Sequence, residues 1–88
     1  METYIIEIVI ENKPAAKDPE GATIQRDLIN RGGYTQVTSV RTGKFIRVKI
    51  EAKNEKAAEE LTLKFCNDLR IYNPVVHTIR IEVKGTEK

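Results

Sequence analysis

Two segments of the chain alternate apolar and polar residues with a period of two, which is typical of a β-strand with one buried face. The first segment covers residues 4–11, and its apolar face consists of Tyr4, Ile6, Ile8 and Ile10. The second covers residues 44–51, and its apolar face consists of Ile46, Val48 and Ile50. The segments match each other at an offset of 40 residues, Ile6 with Ile46 and Ile10 with Ile50, which indicates two related halves.

Each of these strands is followed by a segment with the signals of a helix start. Asp18 and Asn54 are suitable N-cap residues, and Pro19 occupies the first helical position after Asp18. Apolar residues then recur at helical spacing. The first helix ends at Arg31-Gly32-Gly33, and its apolar residues are Ala22, Ile24, Leu28 and Ile29. The second helix extends to about Leu69, and its apolar residues are Ala58, Leu61, Phe65 and Leu69.

Two shorter segments complete the pattern. Residues 37–41 predict a short second strand, which a tight turn at Thr42 and Gly43 joins to the next strand. The last strand covers about residues 77–83, where Ile79, Ile81 and Val83 alternate with polar residues. The order strand, helix, strand, strand, helix, strand predicts an α+β fold. We expect a ferredoxin-like βαββαβ sandwich, an antiparallel sheet with two helices on one face.

The length of 88 residues fits a single domain, which we place at residues 1–84, with a short flexible tail at residues 85–88. The net charge is only +2, from 15 basic and 13 acidic residues, and this balance argues against a phosphate-binding surface. No apolar run reaches the ~18–20 residues of a membrane span, and the N-terminus lacks the features of a signal peptide. We therefore expect a small cytoplasmic protein that binds neither membranes nor nucleic acids.

Groups that could perform catalysis or hold a cofactor are few. The chain has one Cys and one His, so a disulfide within the chain is excluded and a metal site is disfavoured. His77 is most simply an imidazole at a strand edge, and Cys66 a partly buried structural thiol. No glycine-rich phosphate-binding motif occurs. The sequence predicts no catalytic, cofactor-binding or metal-binding residue.

Two binding functions share this order of elements and stand as alternatives. RNA-recognition modules stack bases on aromatic residues of the first and third strands. Here Phe45 stands alone, because Arg47 occupies the second position and Tyr4 lies on the opposite face. Small-molecule-sensing domains of the ACT kind usually bind their ligand at a glycine-containing loop after the first strand, whereas residues 12–17 contain no glycine. Both alternatives are weaker than an assembly function.

An apolar surplus outside the predicted core favours the assembly function. Ile5, Val9 and Phe45 lie on the face of the sheet opposite the core, and Leu63 lies opposite the apolar stripe of the second helix. A chain of this size builds only a small core, which contributes little net stability by itself. We therefore predict a homo-oligomer, either a dimer or a tetramer.

Three segments of the chain resemble the PurS family, the small subunit of phosphoribosylformylglycinamidine (FGAM) synthase. They are KDPEG at residues 17–21, VTSVRTGKF at residues 37–45 and NPVV at residues 73–76. The second matches the family pattern V-x-x-V-R-x-G-K followed by an aromatic residue. The chain departs from the family at His77, Thr78 and Ile79, where acidic residues and then a tyrosine are expected.

The resemblance implies a non-catalytic adaptor subunit of an ATP- and glutamine-dependent ligase of purine biosynthesis. Its partners would be the glutaminase PurQ, which releases ammonia from glutamine, and the synthetase PurL, which uses ATP and Mg. Together they would convert formylglycinamide ribonucleotide to formylglycinamidine ribonucleotide, with glutamate, ADP and phosphate as the other products. The adaptor would hold the two partners together and assist the transfer of ammonia.

Candidate site residues come from the matched segments and, for Leu63, from the outer side of the second helix. Arg41 and Lys44, which flank the predicted turn, are the leading candidates for partner contacts, and Phe45 and Leu63 are further candidates. The family-motif residues that the resemblance assigns to structural roles are Asp18, Pro19, Gly21, Gly43, Asn73 and Pro74.

Overall fold

A three-stranded antiparallel sheet forms the centre of the computed structural model, which describes residues 1–87. Its strands are β1 (Glu2–Asn12), β2 (Gly43–Ala52) and β3 (His77–Glu87), and β1 lies between the other two. Ile6 of β1 is paired with Val48 of β2 and with Val83 of β3, so the isoleucines and valines of all three strands share one face. This face is called the helix face, and the opposite one the open face.

Helix α2 (Glu55–Asp68) packs on the helix face and contacts all three strands, and its buried residues form the core with those of β1 and with Ala52 of β2. The side chains of β1 that point toward α2 are all buried, as the alternation predicted: Tyr4, Ile6, Ile8 and Ile10. The facing residues of α2 are Ala58, Thr62 and Cys66, each with no exposed surface. Burial raises the pKa of the Cys66 thiol.

The buried stripe of α2 differs from the predicted stripe. The Asn54 cap is confirmed, since its Oδ1 accepts a hydrogen bond from the Ala57 amide at 2.8 Å. Ala58 and Phe65 of the predicted stripe pack against the core, whereas Leu61 and Leu69 are turned aside and are 45% and 69% exposed. Small residues at spacing i, i+4, i+8 allow the helix axis to approach the sheet closely, and the Thr62 hydroxyl is satisfied by donating to the Ala58 carbonyl.

The first helix begins where predicted but does not cover the sheet. Helix α1 (Pro19–Thr23) continues into a π-helical segment (Ile24–Asn30), and together they form a helical arm that contacts no strand within residues 1–87. The π-helical turns, with hydrogen bonds from i to i+5, displace residues that an α-helix would align, and Leu28 is 66% exposed. The prediction that both helices pack on one face is therefore corrected for this helix.

The predicted strand at residues 37–41 is also corrected, because this segment is irregular. Side chains of the helical arm and its cap bind the backbone groups that a strand would use. Gln25 donates to the Val37 carbonyl at 3.2 Å, and Asp18 accepts from the Thr42 amide at 2.7 Å. The expected tight turn at Thr42 and Gly43 is absent as well. Gly43 is the first residue of β2, and residues 37–41 form no strand that could pair with β2 across a turn.

The class of the fold is confirmed as α+β, with an antiparallel sheet and two helical segments in the manner of a ferredoxin-like fold. Strand β3 continues beyond its predicted end, so residues 85–87 pair with β1, while Lys88 of the predicted tail lies outside the described residues. No helix within residues 1–87 is long and apolar enough to cross a membrane. With one helix on the sheet, the molecule measures 51 × 30 × 14 Å.

Candidate functional site

The motif residues converge at one end of the sheet, where β1 ends and both β2 and β3 begin. Glu11 of β1 is paired with Gly43 of β2, and Asn12 is paired with His77 of β3. The loops that enter and leave these strands meet here. We call this region the loop junction and define it by the residues that bond its segments together: Asn12, Asp18, Arg41, Thr42, Asn73 and His77.

The Asp18 carboxylate connects the helical arm to the start of β2. Its Oδ1 accepts hydrogen bonds from the Gly21 amide at 3.0 Å and from the Thr42 hydroxyl at 2.7 Å, and its Oδ2 accepts from the Thr42 amide at 2.7 Å. These donors favour the ionised form, so the amide and then the hydroxyl of Thr42, followed by the Gly21 amide, hold the pKa of Asp18 below its ordinary value of 3.8. The predicted N-cap is thus also a link across the chain.

Two glycines of the motif permit close backbone contacts at the loop junction. A Cβ atom on Gly21 would lie 2.5 Å from the Val40 carbonyl oxygen, and one on Gly43 would lie 2.7 Å from the Ile10 carbonyl oxygen. Both distances are far below van der Waals contact. Side chains at these positions would separate the arm from residues 37–42, or β2 from β1.

Arg41 is exposed but its guanidinium group is engaged within the chain. Its Nη2 donates to the carbonyl oxygens of Asn12 at 2.9 Å and Lys13 at 3.0 Å, which are the last residue of β1 and the first residue of the loop that follows. Arg41 therefore holds the loop after β1 against the segment before β2. This contact gives Arg41 a structural role in addition to the predicted role as a partner contact.

Asn73 and His77 close the third loop. The Asn73 carbonyl accepts from the amides of Val76 and His77, its Oδ1 accepts from the Val75 amide, and its own amide donates to His77 Nδ1 at 3.0 Å. Pro74 lies inside this turn, where its fixed φ is suitable. The Val76 carbonyl then accepts from the Lys13 amide at 2.8 Å, so the turn is fixed to the end of β1.

Lys44 and Phe45 project from β2 to opposite faces of the sheet. Lys44 lies on the helix face beside a cleft of about 300 Å³, whose lining includes Glu20 and His77. Phe45 is 54% exposed on the open face, with the Arg47 guanidinium 5.2 Å from the centre of its ring. A second cleft of about 270 Å³ lies beside Phe45.

The four predicted partner contacts therefore do not form one continuous patch. Arg41, Lys44 and Phe45 surround the start of β2, whereas Leu63 lies on the outer side of α2 and is 43% exposed. Glu20 and His77 were not predicted as site residues, although the cleft brings both close to Lys44. Their positions depend on the path of the loops, and local sequence spacing does not encode that path.

The fold and this site define a class of protein: a small ferredoxin-like α+β domain that presents exposed charged and aromatic residues around a rigid loop junction. Within residues 1–87, no three His, Cys, Asp or Glu side chains are grouped to hold a metal ion. A model of the PurS family, described as phosphoribosylformylglycinamidine (FGAM) synthase, matches residues 5–85. The chain belongs to this family, whose members named below are subunits of FGAM synthase.

Relatives and solved structures agree with this assignment over nearly the whole chain. The PurS subunit of FGAM synthase from Methanocaldococcus jannaschii is 37% identical, over 96% of this chain and 99% of the relative. The crystal structure of PurS from that organism superposes with a TM-score of 0.83 at 36% identity, covering 96% of this chain and 99% of the other. A chain in the structure of PurLQS from Thermotoga maritima has a TM-score of 0.84 at 30% identity, covering 94% and 99%.

We expect Asp18→Asn to lower the melting temperature at pH 7, because an amide NH₂ would replace one acceptor oxygen and face the donors of Thr42. The pKa of Asp18 is lower in the folded protein than its ordinary value of 3.8. The ionised carboxylate therefore stabilises the folded state fully above pH 3.8, and this stabilisation is lost as the pH falls through the pKa of the folded state. The difference in melting temperature between wild type and variant, followed by circular dichroism, is therefore largest at neutral pH and shrinks below it as Asp18 is protonated.

Asn54→Ala is the matched control for this prediction. It removes the cap of α2, at a cost of about 1 kcal/mol, without removing a titrating group. Its melting-temperature difference from wild type should not follow the protonation of Asp18. If the Asp18→Asn difference stayed constant between pH 7 and pH 3, the ionised carboxylate would not stabilise the loop junction.

Proposed function

We propose that this chain is the non-catalytic adaptor subunit of FGAM synthase, which holds the glutaminase PurQ and the synthetase PurL together. Membership of the PurS family carries the proposal, and the structural likeness to a chain of PurLQS from Thermotoga maritima supports it. The complex would use glutamine and ATP to convert formylglycinamide ribonucleotide to formylglycinamidine ribonucleotide. ATP and Mg would be bound by PurL, and we place the complex in the cytoplasm.

An adaptor contributes to this reaction by keeping two active sites in fixed register. Ammonia released into neutral water becomes mostly ammonium, which is not a nucleophile. A docked passage between glutaminase and synthetase keeps ammonia unprotonated and near its acceptor, so proximity and exclusion of water both favour the reaction. The adaptor needs no reactive group for this purpose, only a rigid surface at which the partners dock.

The end of the sheet at the loop junction is suited to such docking. The loops there are fixed by hydrogen bonds between segments, so few residues need to be ordered on binding. Lys44 offers an exposed positive charge on one face, and Phe45 an exposed ring on the other. We assign Lys44 and Phe45 as the leading contacts to the partners. Arg41 would both hold this surface in position and contact the partners.

We also propose that the chain associates with itself as a dimer or a tetramer. The radius of gyration is 16.6 Å, compared with about 12 Å for a compact domain of this length. A single helix covers the sheet, and the isoleucines and valines of β2 and β3 on the helix face are only partly buried. Further apolar side chains are exposed, among them Leu28, Tyr34, Leu69 and Val75. Association with a second copy would bury more of this surface.

We expect Lys44→Glu to reduce glutamine-dependent product formation by at least tenfold when the chain is mixed with PurQ and PurL, because a reversed charge opposes docking. Turnover driven by high ammonium should be unchanged, since free ammonia replaces delivered ammonia by mass action. Both rates are measured as formylglycinamidine ribonucleotide formed. Omitting the chain should give the same pattern, and full glutamine-dependent activity in its absence would refute the adaptor function.

Lys56→Glu is the control, because Lys56 is an exposed lysine in the first turn of α2, away from the loop junction. It should leave both activities at the wild-type level. Equal losses of the glutamine-dependent and ammonium-dependent rates with Lys44→Glu would instead indicate that Lys44 shapes the synthetase active site. If Lys56→Glu reduced the glutamine-dependent rate as much as Lys44→Glu does, Lys44 would not be a specific docking contact.

The proposed self-association predicts a molar mass that is a multiple of 10.0 kDa, the mass of the chain. Size-exclusion chromatography with light scattering measures this mass at micromolar concentration. A twofold or fourfold multiple is the expected result. A mass of one chain at all concentrations would refute self-association without affecting the adaptor function.

A further inference from the structure

Two side chains reach the cleft on the helix face from opposite sides of β1. Lys44 of β2 is paired in register with Ile10 of β1, and His77 of β3 is paired with Asn12, two residues further along β1. Both side chains line the same cleft of about 300 Å³, together with Glu20 of the helical arm. We call it the Lys44 cleft. It lies over the end of β1, at the loop junction.

One ring nitrogen of His77 is occupied inside the third loop. The Asn73 amide donates to His77 Nδ1 at 3.0 Å, and the His77 amide donates to the Asn73 carbonyl at 2.8 Å. A backbone N–H can only donate, so Nδ1 is the acceptor and the neutral ring carries its hydrogen on Nε2. Within residues 1–87, Nε2 forms no hydrogen bond. His77 therefore has one N–H donor to offer to a group bound in the cleft.

The Lys44 ammonium is also unengaged, because it forms no ion pair in the part of the chain that the structure describes. Glu20 lines the same cleft but lies beyond ion-pair distance from it. The Thr42 hydroxyl and the Asn12 side-chain amide, which complete the polar side chains of the lining, each donate to a group of the chain itself. The cleft thus contains two unused donors, one of which is charged.

This pair of donors selects a carboxylate as the complementary group. A carboxylate carries one negative charge and two acceptor oxygens, and a charged donor strengthens its hydrogen bonds. A phosphate would bring about two negative charges and three acceptor oxygens, and Glu20 would oppose it. Segments 12–20 and 41–44 around the cleft contain four basic and two acidic residues, so the local charge also favours the approach of an acidic group.

We propose that the Lys44 cleft binds the carboxylate of one aspartate or glutamate of a partner subunit of the synthase, with Lys44 Nζ and His77 Nε2 as its donors. This inference rests on the adaptor function proposed above. It adds the chemistry of the docking contact, and it adds His77 as a contact residue. His77 would serve on both sides of its ring: Nδ1 holds the third loop, and Nε2 binds the partner.

Cross-linking without a spacer tests the contact in the assembled synthase. A carbodiimide removes water between a carboxyl group and an amine that touch each other, and the products are an amide and a urea. In a complex of the wild-type chain with PurQ and PurL, we expect mass spectrometry of the digest to find an amide between Lys44 and an acidic residue of one partner. Lys56, exposed on α2, should form none. Partner cross-links from other lysines of the chain, without one from Lys44, would contradict the proposal.

Two variants of Lys44 relate this contact to docking. The readout is the half-saturating concentration, which is the concentration of the chain that gives half of the maximal glutamine-dependent rate with PurQ and PurL. Lys44→Met keeps the length of the side chain but removes the charge, and it should raise this concentration about tenfold or more. Lys44→Arg keeps the charge and should stay within about threefold of the wild type, but it should abolish the cross-link because a guanidinium does not form the amide.

A matched pair of variants separates the two nitrogens of His77. In His77→Asn the side-chain oxygen takes the place of Nδ1, so the acceptor for the Asn73 amide remains and the donor in the cleft is lost. In His77→Gln the side-chain NH₂ takes the place of Nε2, so the donor remains and the acceptor is lost. We expect His77→Asn to raise the half-saturating concentration about tenfold and His77→Gln to raise it less than threefold.

Amide hydrogen exchange of Asn73 measures the structural role of His77 independently. The Asn73 amide should be protected in the wild type and in His77→Asn, and it should exchange faster in His77→Gln. Docking and protection of this amide then change in opposite variants. If docking were instead weakened in His77→Gln and normal in His77→Asn, His77 would act only by closing the loop, and its assignment as a donor to the partner would be overturned.

Glu20→Gln tests the charge of the incoming group. Glu20 repels a carboxylate that enters the cleft, so its neutralisation should lower the half-saturating concentration severalfold. Glu59→Gln is the control, because Glu59 is an exposed acid on α2, and it should leave this concentration unchanged. Weaker docking of Glu20→Gln would show that the partner presents a cation to the cleft, which would overturn the proposal.

The outcomes also separate this inference from the adaptor function on which it rests. Full glutamine-dependent turnover without the chain would overturn both. If turnover requires the chain but Lys44→Met and His77→Asn saturate at the wild-type concentration, the carboxylate contact is overturned and the adaptor function stands. Weakened docking of both variants, with an amide from Lys44 to one partner, would support the contact and identify the subunit that supplies the acid.

Discussion

Three hydrogen bonds to one ionised carboxylate decide how the loops of this chain are arranged. Asp18 accepts from the amide of Gly21, in the first turn of the helical arm, and from the amide and hydroxyl of Thr42, which precedes β2. A charged acceptor makes such bonds stronger than neutral ones, and the donors in turn keep Asp18 ionised. The same contact joins the start of the helical arm to the residue before β2 and occupies the Thr42 amide.

The shape of the molecule follows from this arrangement. Within residues 1–87 the arm contacts no strand, so α2 alone covers the sheet, and α2 contacts all three strands. The two outer strands keep partly exposed apolar faces and open edges within the described residues. The fold thus presents two kinds of surface: an end at the loop junction whose loops are fixed by hydrogen bonds, and strand edges that are open within the described residues.

Features governed by local sequence were predictable, and features governed by packing across the chain were not. The alternation in β1 gave the buried face, and Asp18 and Asn54 gave the helix starts, because a strand face and a cap depend on neighbouring residues. The irregular path of residues 37–41 depends instead on Gln25 and Asp18, which are distant in sequence. The buried face of α2 likewise depends on how closely small residues let the helix approach β1.

The candidate site shows the same division. The motif residues Asp18 and Asn73 lie at the loop junction, and the period of two already implied that Lys44 and Phe45 project to opposite faces. The engagement of Arg41 with the carbonyls after β1, and the closure of the third loop by His77 and Asn73, could not be read from spacing. Each is a bond between a side chain and a backbone group brought near by the fold.

Amide hydrogen exchange measured by NMR tests the central claim, that Asp18 fixes the loop junction. In the wild type at neutral pH, the amides of Gly21 and Thr42 should be protected from exchange. In Asp18→Asn both should exchange much faster, while the amide of Ala57, which bonds to the Asn54 side chain, keeps its rate. Unprotected Gly21 and Thr42 amides in the wild type, or equal rates in the two proteins, would contradict the claim.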